Sequence, residues 1–270
     1  MKLVQIFAGR RDKVRILAIV HVYYPELWPE LARCIGNLGD EVDLIVTYSD
    51  ESAVTAARRD FPRARFLLCE NRGYDIWPFL HALQSVSLSD YDCIVKLHTK
   101  RQVGDGIVLN HALIGGTNWR RLLLRFVSTR RNWQKTLDKL AKPKIGMVAD
   151  RRVIFDRKAA TALHYPEFDL AKDEMQALSG KAFAGGRFVA GTMFAVKPAA
   201  LAPLLRKRHA AQDFALSVGH GGITRAHIME RMLGLSVSAA GMRVETFDGP
   251  SVGLRRWWYK HVRRVACYEL

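Results

Sequence analysis

Three short blocks of this sequence bring together groups that can do chemistry. In "NRGYD" (71–75) a strand-like run gives way to a helix-like one. Backbone N–H groups and a helix N-terminus make an anion site at such a junction, and Gly73 permits a conformation or close approach that a Cβ would block. Arg72 can pair with a phosphate there, and Asp75 can bond a hydroxyl or orient Arg72. The plainer reading is a turn capped by Asn71 and Asp75. In "KLHTKR" (96–101) Lys96, His98, Lys100 and Arg101 gather positive charge at the end of an apolar run. One imidazole without an acidic neighbour is a poor site for Mg²⁺, which prefers oxygen ligands, and the nearest acid in sequence, Asp92, lies at the other end of the run. In "AHIMER" (226–231) His227 and Glu230 are three apart, so they share one helix face with Arg231 adjacent. Either can take a proton from a hydroxyl; the alternative is a surface pair on an ordinary helix. Asp213 is a third candidate for that task, and Thr192 in "AGTMF" (190–194) offers a hydroxyl from a small-residue turn.

These blocks need elements to hold them. "VRILAIVHVYY" (14–24) is apolar and rich in β-branched residues over a strand's length, and "PELWPELARCIGNLG" follows as a helix between Pro25 and Gly39. Strands are expected at 41–50, 64–71 and 91–100, with helices at 51–62 and 74–86 between them. Such repetition implies α/β architecture: a mostly parallel central sheet flanked by helices, with right-handed crossovers. Ligands of such sheets sit at the carboxyl ends of the strands, where "NRGYD" and "KLHTKR" fall. Further on, 103–118 reads as a mobile loop, 119–142 as a basic helix broken near Ser128, 144–150 as a strand, 185–201 as a strand running into a helix at Pro198, and 221–234 as a helix between glycines. No internal repeat or Pro/Ser-rich linker divides the chain, so one domain over 1–250 with an appendage at 251–270 is expected.

A 270-residue chain with 49% hydrophobic and 25% charged residues can bury a full core and is not a disordered polymer. Its 42 Lys and Arg against 26 Asp and Glu give a net charge of +16, which favours an anionic partner: nucleic acid, phospholipid headgroups or a pyrophosphate. No RRM, helix-turn-helix or zinc-finger pattern supports nucleic acid. Cys34, Cys69, Cys93 and Cys267 form no CxxC pair, as suits a reducing cytoplasm. Arg10, Arg11 and Lys13 interrupt any signal-peptide run, and no apolar stretch is long enough to span a bilayer. The tail "LRRWWYKHVRRV" (254–265) interleaves Trp257, Trp258 and Tyr259 with cations, which suits an anionic membrane surface or, alternatively, a closing helix packed on the core. GxSxG, Walker A, HExxH and GxGxxG are absent.

"ENRGYDIWPFL" (70–80), "YDCIVKLHTKR" (91–101), "FVAGTMFAVKPAAL" (188–201) and "ITRAHIMERMLG" (223–234), with "VHVYYPELWPEL" (20–31), occur in an order that resembles the rhamnan synthesis protein F family. The resemblance implies a GT-A-like nucleotide-sugar-binding core and a role in building rhamnose-containing cell-surface polysaccharide. On that fold, His21, Tyr23 and Asp50 would face the donor's base and ribose, with Asp50 equally readable as a helix cap. Asn71, Arg72, Gly73, Asp75, Lys96, His98, Lys100, Thr192 and Arg231 complete the expected donor site. Cations stand where many GT-A enzymes carry a metal-holding Asp-x-Asp, so metal-independent transfer is expected, with Mg²⁺ or Mn²⁺ not favoured. Glu230 is the first candidate for the base of an inverting reaction, then His227 and Asp213. The implied partners are a dTDP-rhamnose donor and a polyprenyl-linked glycan acceptor, reached by a peripheral protein on the inner face of the plasma membrane. A noncatalytic glycan-binding or scaffold subunit on the same fold is the rival reading.

Overall fold

The computed structural model describes residues 14–101, 107–109, 112–114, 116–157, 167–217 and 224–249, with backbone alone between 102 and 118. The chain opens with β1 (Ile16–Val22), buried along its whole length as a central parallel strand must be. α1 (Trp28–Gly36) buries Trp28, Leu31, Cys34 and Ile35, the three- and four-residue spacing of one helix face. β2 (Val42–Tyr48) and β3 (Arg65–Leu68) flank α2 (Thr55–Asp60), and α3 (Ile76–Leu83) leads to β4 (Cys93–His98). A hairpin of β5 (Ile107–Leu109) and β6 (Ala112–Ile114) precedes α4 (Gly116–Leu124) and α5 (Arg130–Leu140). Then follow β7 (Ile145–Ala149), β8 (Ile154–Asp156), α6 (Glu167–Ser179), β9 (Arg187–Val189) and β10 (Phe194–Val196). The single turn α7 (Pro198–Leu201), the long α8 (Arg225–Ala239) and β11 (Arg243–Thr246) complete the fold.

Seven strands form the central sheet in the order β11-β7-β10-β4-β1-β2-β3. All run the same way except β10, which is antiparallel to both β4 and β7. The reversal has a consequence for the site. It brings the residues just before β10, including Thr192, to the edge where β1, β2 and β4 end. In register, Thr47, His21 and His98 form one cross-strand row at the carboxyl ends of β2, β1 and β4, and Phe194 of β10 lies opposite Lys96.

The α/β reading and the first four strands agree with the sequence. Elsewhere the structure differs. The stretch 103–118 is not a plain loop: it holds the β5–β6 hairpin and the start of α4. The expected break in the basic helix near Ser128 is present: Thr129 caps a new helix by accepting a hydrogen bond from Asn132 N–H at 3.1 Å. The stretch 185–201 is two strands separated by a tight turn at Ala190–Gly191, not one. Gly234 does not end α8. It is the point where the helix meets β9, and a Cβ there would lie 2.3 Å from Arg187 O. Residues 251–270, with the aromatic basic tail, lie outside the described residues, as does Cys267. Cys34, Cys69 and Cys93 are free thiols, and burial pushes each up to about 12.

Candidate active site

At the carboxyl edge of the sheet four polar side chains meet. Lys96, on β4, donates to Asp75 and, at 2.9 Å, to Thr192 Oγ1; Thr192 Oγ1 also donates to Asp75. Both contacts on Asp75 fall on Oδ2, and His98 Nδ1 stands 3.5 Å from the same oxygen. The Lys96 side chain is 2% exposed and that of Asp75 16%. A carboxylate so placed must be paired. Burial opposes its charge, but His98, Lys96 and Lys100 outweigh that and hold the Asp75 carboxyl well below the ordinary carboxylate range. Burial pulls the Lys96 ammonium down, with the Asp75 carboxylate resisting. Both histidines of the row are neutral at pH 7. Burial lowers His21 to about 4, and drives His98 well below its usual value. His21 Nδ1 lies 3.1 Å from Thr47 Oγ1, whereas both ring nitrogens of His98 are buried without a hydrogen-bond partner among the described residues.

Two left-handed turns converge on Asp75. Gly73 (φ +60°) and Tyr74 (φ +54°) precede it, while Gly191 (φ +76°) and Thr192 (φ +53°) reach it from the other side. Non-glycine residues in this region cost about 1–3 kcal/mol and persist only where surrounding contacts impose them. Here the contacts are visible. Gly73 N–H donates to Ala215 O at 3.1 Å, Ser217 N–H to Asn71 O at 3.0 Å, and Tyr74 N–H to Ser217 Oγ at 2.9 Å. A Cβ on Gly73 would sit 2.7 Å from the Phe214 ring. The 71–74 turn is thus zipped to 214–217. On the other side, Glu230 Oε1 accepts the Gly191 N–H at 2.7 Å, and its other oxygen pairs with Arg231.

Beside this cluster lies a cleft of about 430 Å³, lined by Tyr23, Tyr24, Pro25, Ser49, Asp50, Ser52, Asn71 and Arg101 among others, a volume suited to a small ligand. Tyr23 is 44% exposed there and meets Tyr24 edge-on at 4.9 Å. Thr99, which sequence reasoning passed over, holds two residues of the cleft's wall in place. Its hydroxyl accepts from Tyr23 N–H at 2.8 Å and Tyr24 N–H at 2.9 Å. Arg101 pairs with Glu26 at 2.6 Å and lies over the Tyr24 ring.

The expected site residues therefore divide. His21, Asp75, Lys96, His98 and Thr192 meet in one cluster, with Gly73 beside it; Tyr23, Asp50 and Asn71 line the cleft. Asp50 also caps the following turn, accepting from Ser52 N–H at 2.8 Å and from the Ser52 hydroxyl at 2.6 Å. Arg72 is engaged elsewhere, with Glu70 at 2.8 Å and Phe214 O at 3.0 Å, and does not touch Asp75. Lys96 and His98 are interior groups, not a charged strand end. Half-buried Lys100 forms no ion pair among the described residues. Asp213 lies exposed and caps its own turn through Ala210 N–H at 3.0 Å. His227 closes a capping box with Thr224, its Nδ1 3.1 Å from Thr224 Oγ1, and its ring lies 6.4 Å from that of Tyr74. Arg231 pairs with Glu230 and packs over Phe188. Among the described residues no three His, Cys, Asp or Glu groups are placed to hold a metal ion. The Oδ2 of the central carboxylate is already held by an ammonium and a hydroxyl.

A mostly parallel sheet with one reversed strand, and a polar crevice at its carboxyl edge, define an α/β chain. The chain belongs to the rhamnan synthesis protein F family, whose model matches residues 2–242. Relatives called "Uncharacterized protein WxcX", from two strains of Xanthomonas campestris pv. campestris, are each 27% identical over 240 residues. The match takes in 85% of this chain, which spans about a third (32%) of the length of these relatives. Among solved structures, the chain is similar to glucosyl-3-phosphoglycerate synthase from Mycobacterium tuberculosis, crystallised with Mn²⁺, UDP and glucosyl-3-phosphoglycerate. That likeness has 15% identity and a TM-score of 0.35, over 74% of this chain and 61% of that one. A second structure, described as a mycobacterial protein, has a TM-score of 0.36 at 15% identity, over 74% and 59%. Neither likeness bears on what this chain binds.

Proposed function

We propose that this chain is a glycosyltransferase that moves a sugar, with rhamnose from dTDP-rhamnose favoured, onto a polyprenyl-linked glycan for cell-surface polysaccharide. The observation that carries the reading is the cleft opening beside the Asp75–Lys96–Thr192 cluster at the carboxyl edge of the sheet, in a chain of the rhamnan synthesis protein F family. In this reading the nucleoside occupies the cleft, with Tyr23 against the base and the second Asp50 oxygen available to it. The diphosphate lies towards Lys100 and the 71–75 turn, where a cation lowers the energy of the leaving group. Asp75 Oδ1, which has no hydrogen-bond partner among the described residues, accepts from a sugar hydroxyl.

The reaction is inverting and metal-independent. The acceptor oxygen attacks the anomeric carbon, and the carbon–oxygen bond to the diphosphate breaks with its electron pair leaving on the nucleotide. The acceptor proton passes to His227 Nε2 in the tautomer whose Nδ1–H faces Thr224 Oγ1, 3.1 Å away, which gives up the long 3.4 Å bond from Thr224 N–H. His227 is preferred over Glu230 and Asp213 because its Nε2 has no hydrogen-bond partner among the described residues, whereas both carboxylates hold backbone amides. The acceptor is reached from the inner face of the plasma membrane, with the basic surface and the 251–270 tail against anionic lipid.

Release of nucleoside diphosphate on adding dTDP-rhamnose and a lipid-linked acceptor tests the reading. Turnover undiminished by EDTA is expected; activity abolished by EDTA and restored by Mn²⁺ overturns the metal-independent part. Donor binding without any transfer or hydrolysis favours the noncatalytic subunit instead.

A further inference from the structure

The role of Glu230 follows from what its oxygens hold. One accepts the Gly191 N–H at 2.7 Å, and the other pairs with Arg231, which is 3% exposed and sits over the Phe188 ring at 4.9 Å. The carboxylate is therefore fixed to α8 and β9 on one side and to a backbone amide on the other. That amide belongs to the left-handed Gly191–Thr192 pair. Gly191 is needed there, because a Cβ would lie 2.8 Å from Leu123 and Trp119. Thr192 is a β-branched residue at φ +53°, a conformation such residues rarely adopt. What it gains there is the placement of its hydroxyl, which donates to Asp75 and accepts from Lys96 at 2.9 Å. One continuous chain of contacts thus runs from Arg231 through Glu230, the Gly191 amide and the Thr192 hydroxyl to the Asp75–Lys96 pair.

We propose that Glu230 is a positioning residue: it holds the Gly191–Thr192 turn in its left-handed conformation and so sets the Asp75 carboxylate for the donor sugar. The proposal rests on the transferase reading for its kinetic consequences, but the mechanical link itself does not. Glu230→Gln keeps an oxygen that can accept the Gly191 N–H; Glu230→Ala does not. Thr192→Val keeps the shape of the side chain and removes the hydroxyl, whereas Thr192→Ser keeps the hydroxyl.

Hydrogen exchange reads the link without any activity. In Glu230→Ala, peptides covering 187–196 and 70–80 should exchange about tenfold faster or more, with β2 and α5 unchanged, and Glu230→Gln should restore most of the protection. Exchange in Glu230→Ala that matches wild type at both segments, or that rises uniformly over the whole chain, overturns the link. Steady-state kinetics then read its consequence. Glu230→Ala and Thr192→Val should each raise the donor KM and lower kcat, with Glu230→Gln and Thr192→Ser recovering most of the loss. The double variant Glu230→Ala/Thr192→Val should be little worse than either single one, because both cut the same chain. Equal, near-complete loss of kcat in Glu230→Gln and Glu230→Ala, with donor KM unchanged, identifies Glu230 as a proton acceptor and overturns the proposal. A wild-type chain without transfer activity, but with the exchange pattern above, overturns the transferase reading and leaves the link standing.

Discussion

At the scale of single residues the site is governed by one buried pair. Lys96 and Asp75 neutralise each other inside the sheet's edge, and breaking one partner of such a pair leaves an uncompensated charge. Lys96→Met should cost about 3–5 kcal/mol in chemical denaturation, and Lys96→Met/Asp75→Asn should recover much of it. The pH dependence has a definite sign. His21 is held neutral, with its pKa lowered from 6.5 to about 4. Between those values the unfolded chain binds a proton that the folded chain refuses, so stability is full above pH 6.5 and falls as pH drops towards 4. That window is worth about 3 kcal/mol for a shift of this size. His98 acts in the same direction. Denaturation midpoints between pH 7.5 and 4.5 should therefore fall, and His21→Asn should flatten part of the slope. The sequence named Lys96, His98, Asp75 and Thr192 individually, because each stands at a strand end or turn. It did not pair them. Asp75 and Lys96 are 21 residues apart and Thr192 is 117 from Asp75, so their meeting depends on strand order and on the reversal of β10. The charges alone suggested cations facing a diphosphate; burial turned two of them inward.

At the scale of elements, legibility followed periodicity and failed at long-range packing. β1, β2 and β4 were visible as apolar runs, and α1 as a run with a buried face. The split of the basic helix was signalled by Ser128–Thr129, residues that favour caps. The extent of α8 was misread, since a glycine inside a helix looks like its end. Gly234 is instead a close-approach residue against β9, while Gly36, at the end of α1, meets nothing within 4 Å. The two glycines should respond oppositely to the same change. Gly36→Ala should stabilise by about 0.5–1 kcal/mol through helix propensity, and Gly234→Ala should destabilise by about 2–3 kcal/mol through overpacking. Thermal and urea denaturation check both. Opposite signs confirm that α8 is pinned to β9 through its backbone, which keeps Glu230 against the Gly191 amide.

At the scale of the molecule, a net charge of +16 and membership of the rhamnan synthesis protein F family set the expectations for partners. No helix among the described residues is long and apolar enough to cross a membrane. On the proposed reading, the chain should float with anionic liposomes at low salt and release them at high salt, and removal of 251–270 should weaken flotation. The central claim is that the cleft and the Asp75 cluster take a nucleoside-diphosphate sugar without a divalent metal. Isothermal titration of dTDP-rhamnose, UDP-glucose and GDP-mannose in the presence of EDTA tests it most directly. The account predicts saturable binding of one of these sugars in EDTA, strongest for dTDP-rhamnose, and loss of that binding in Asp75→Asn. Binding that requires added Mn²⁺, or no binding of any of the three, would contradict it.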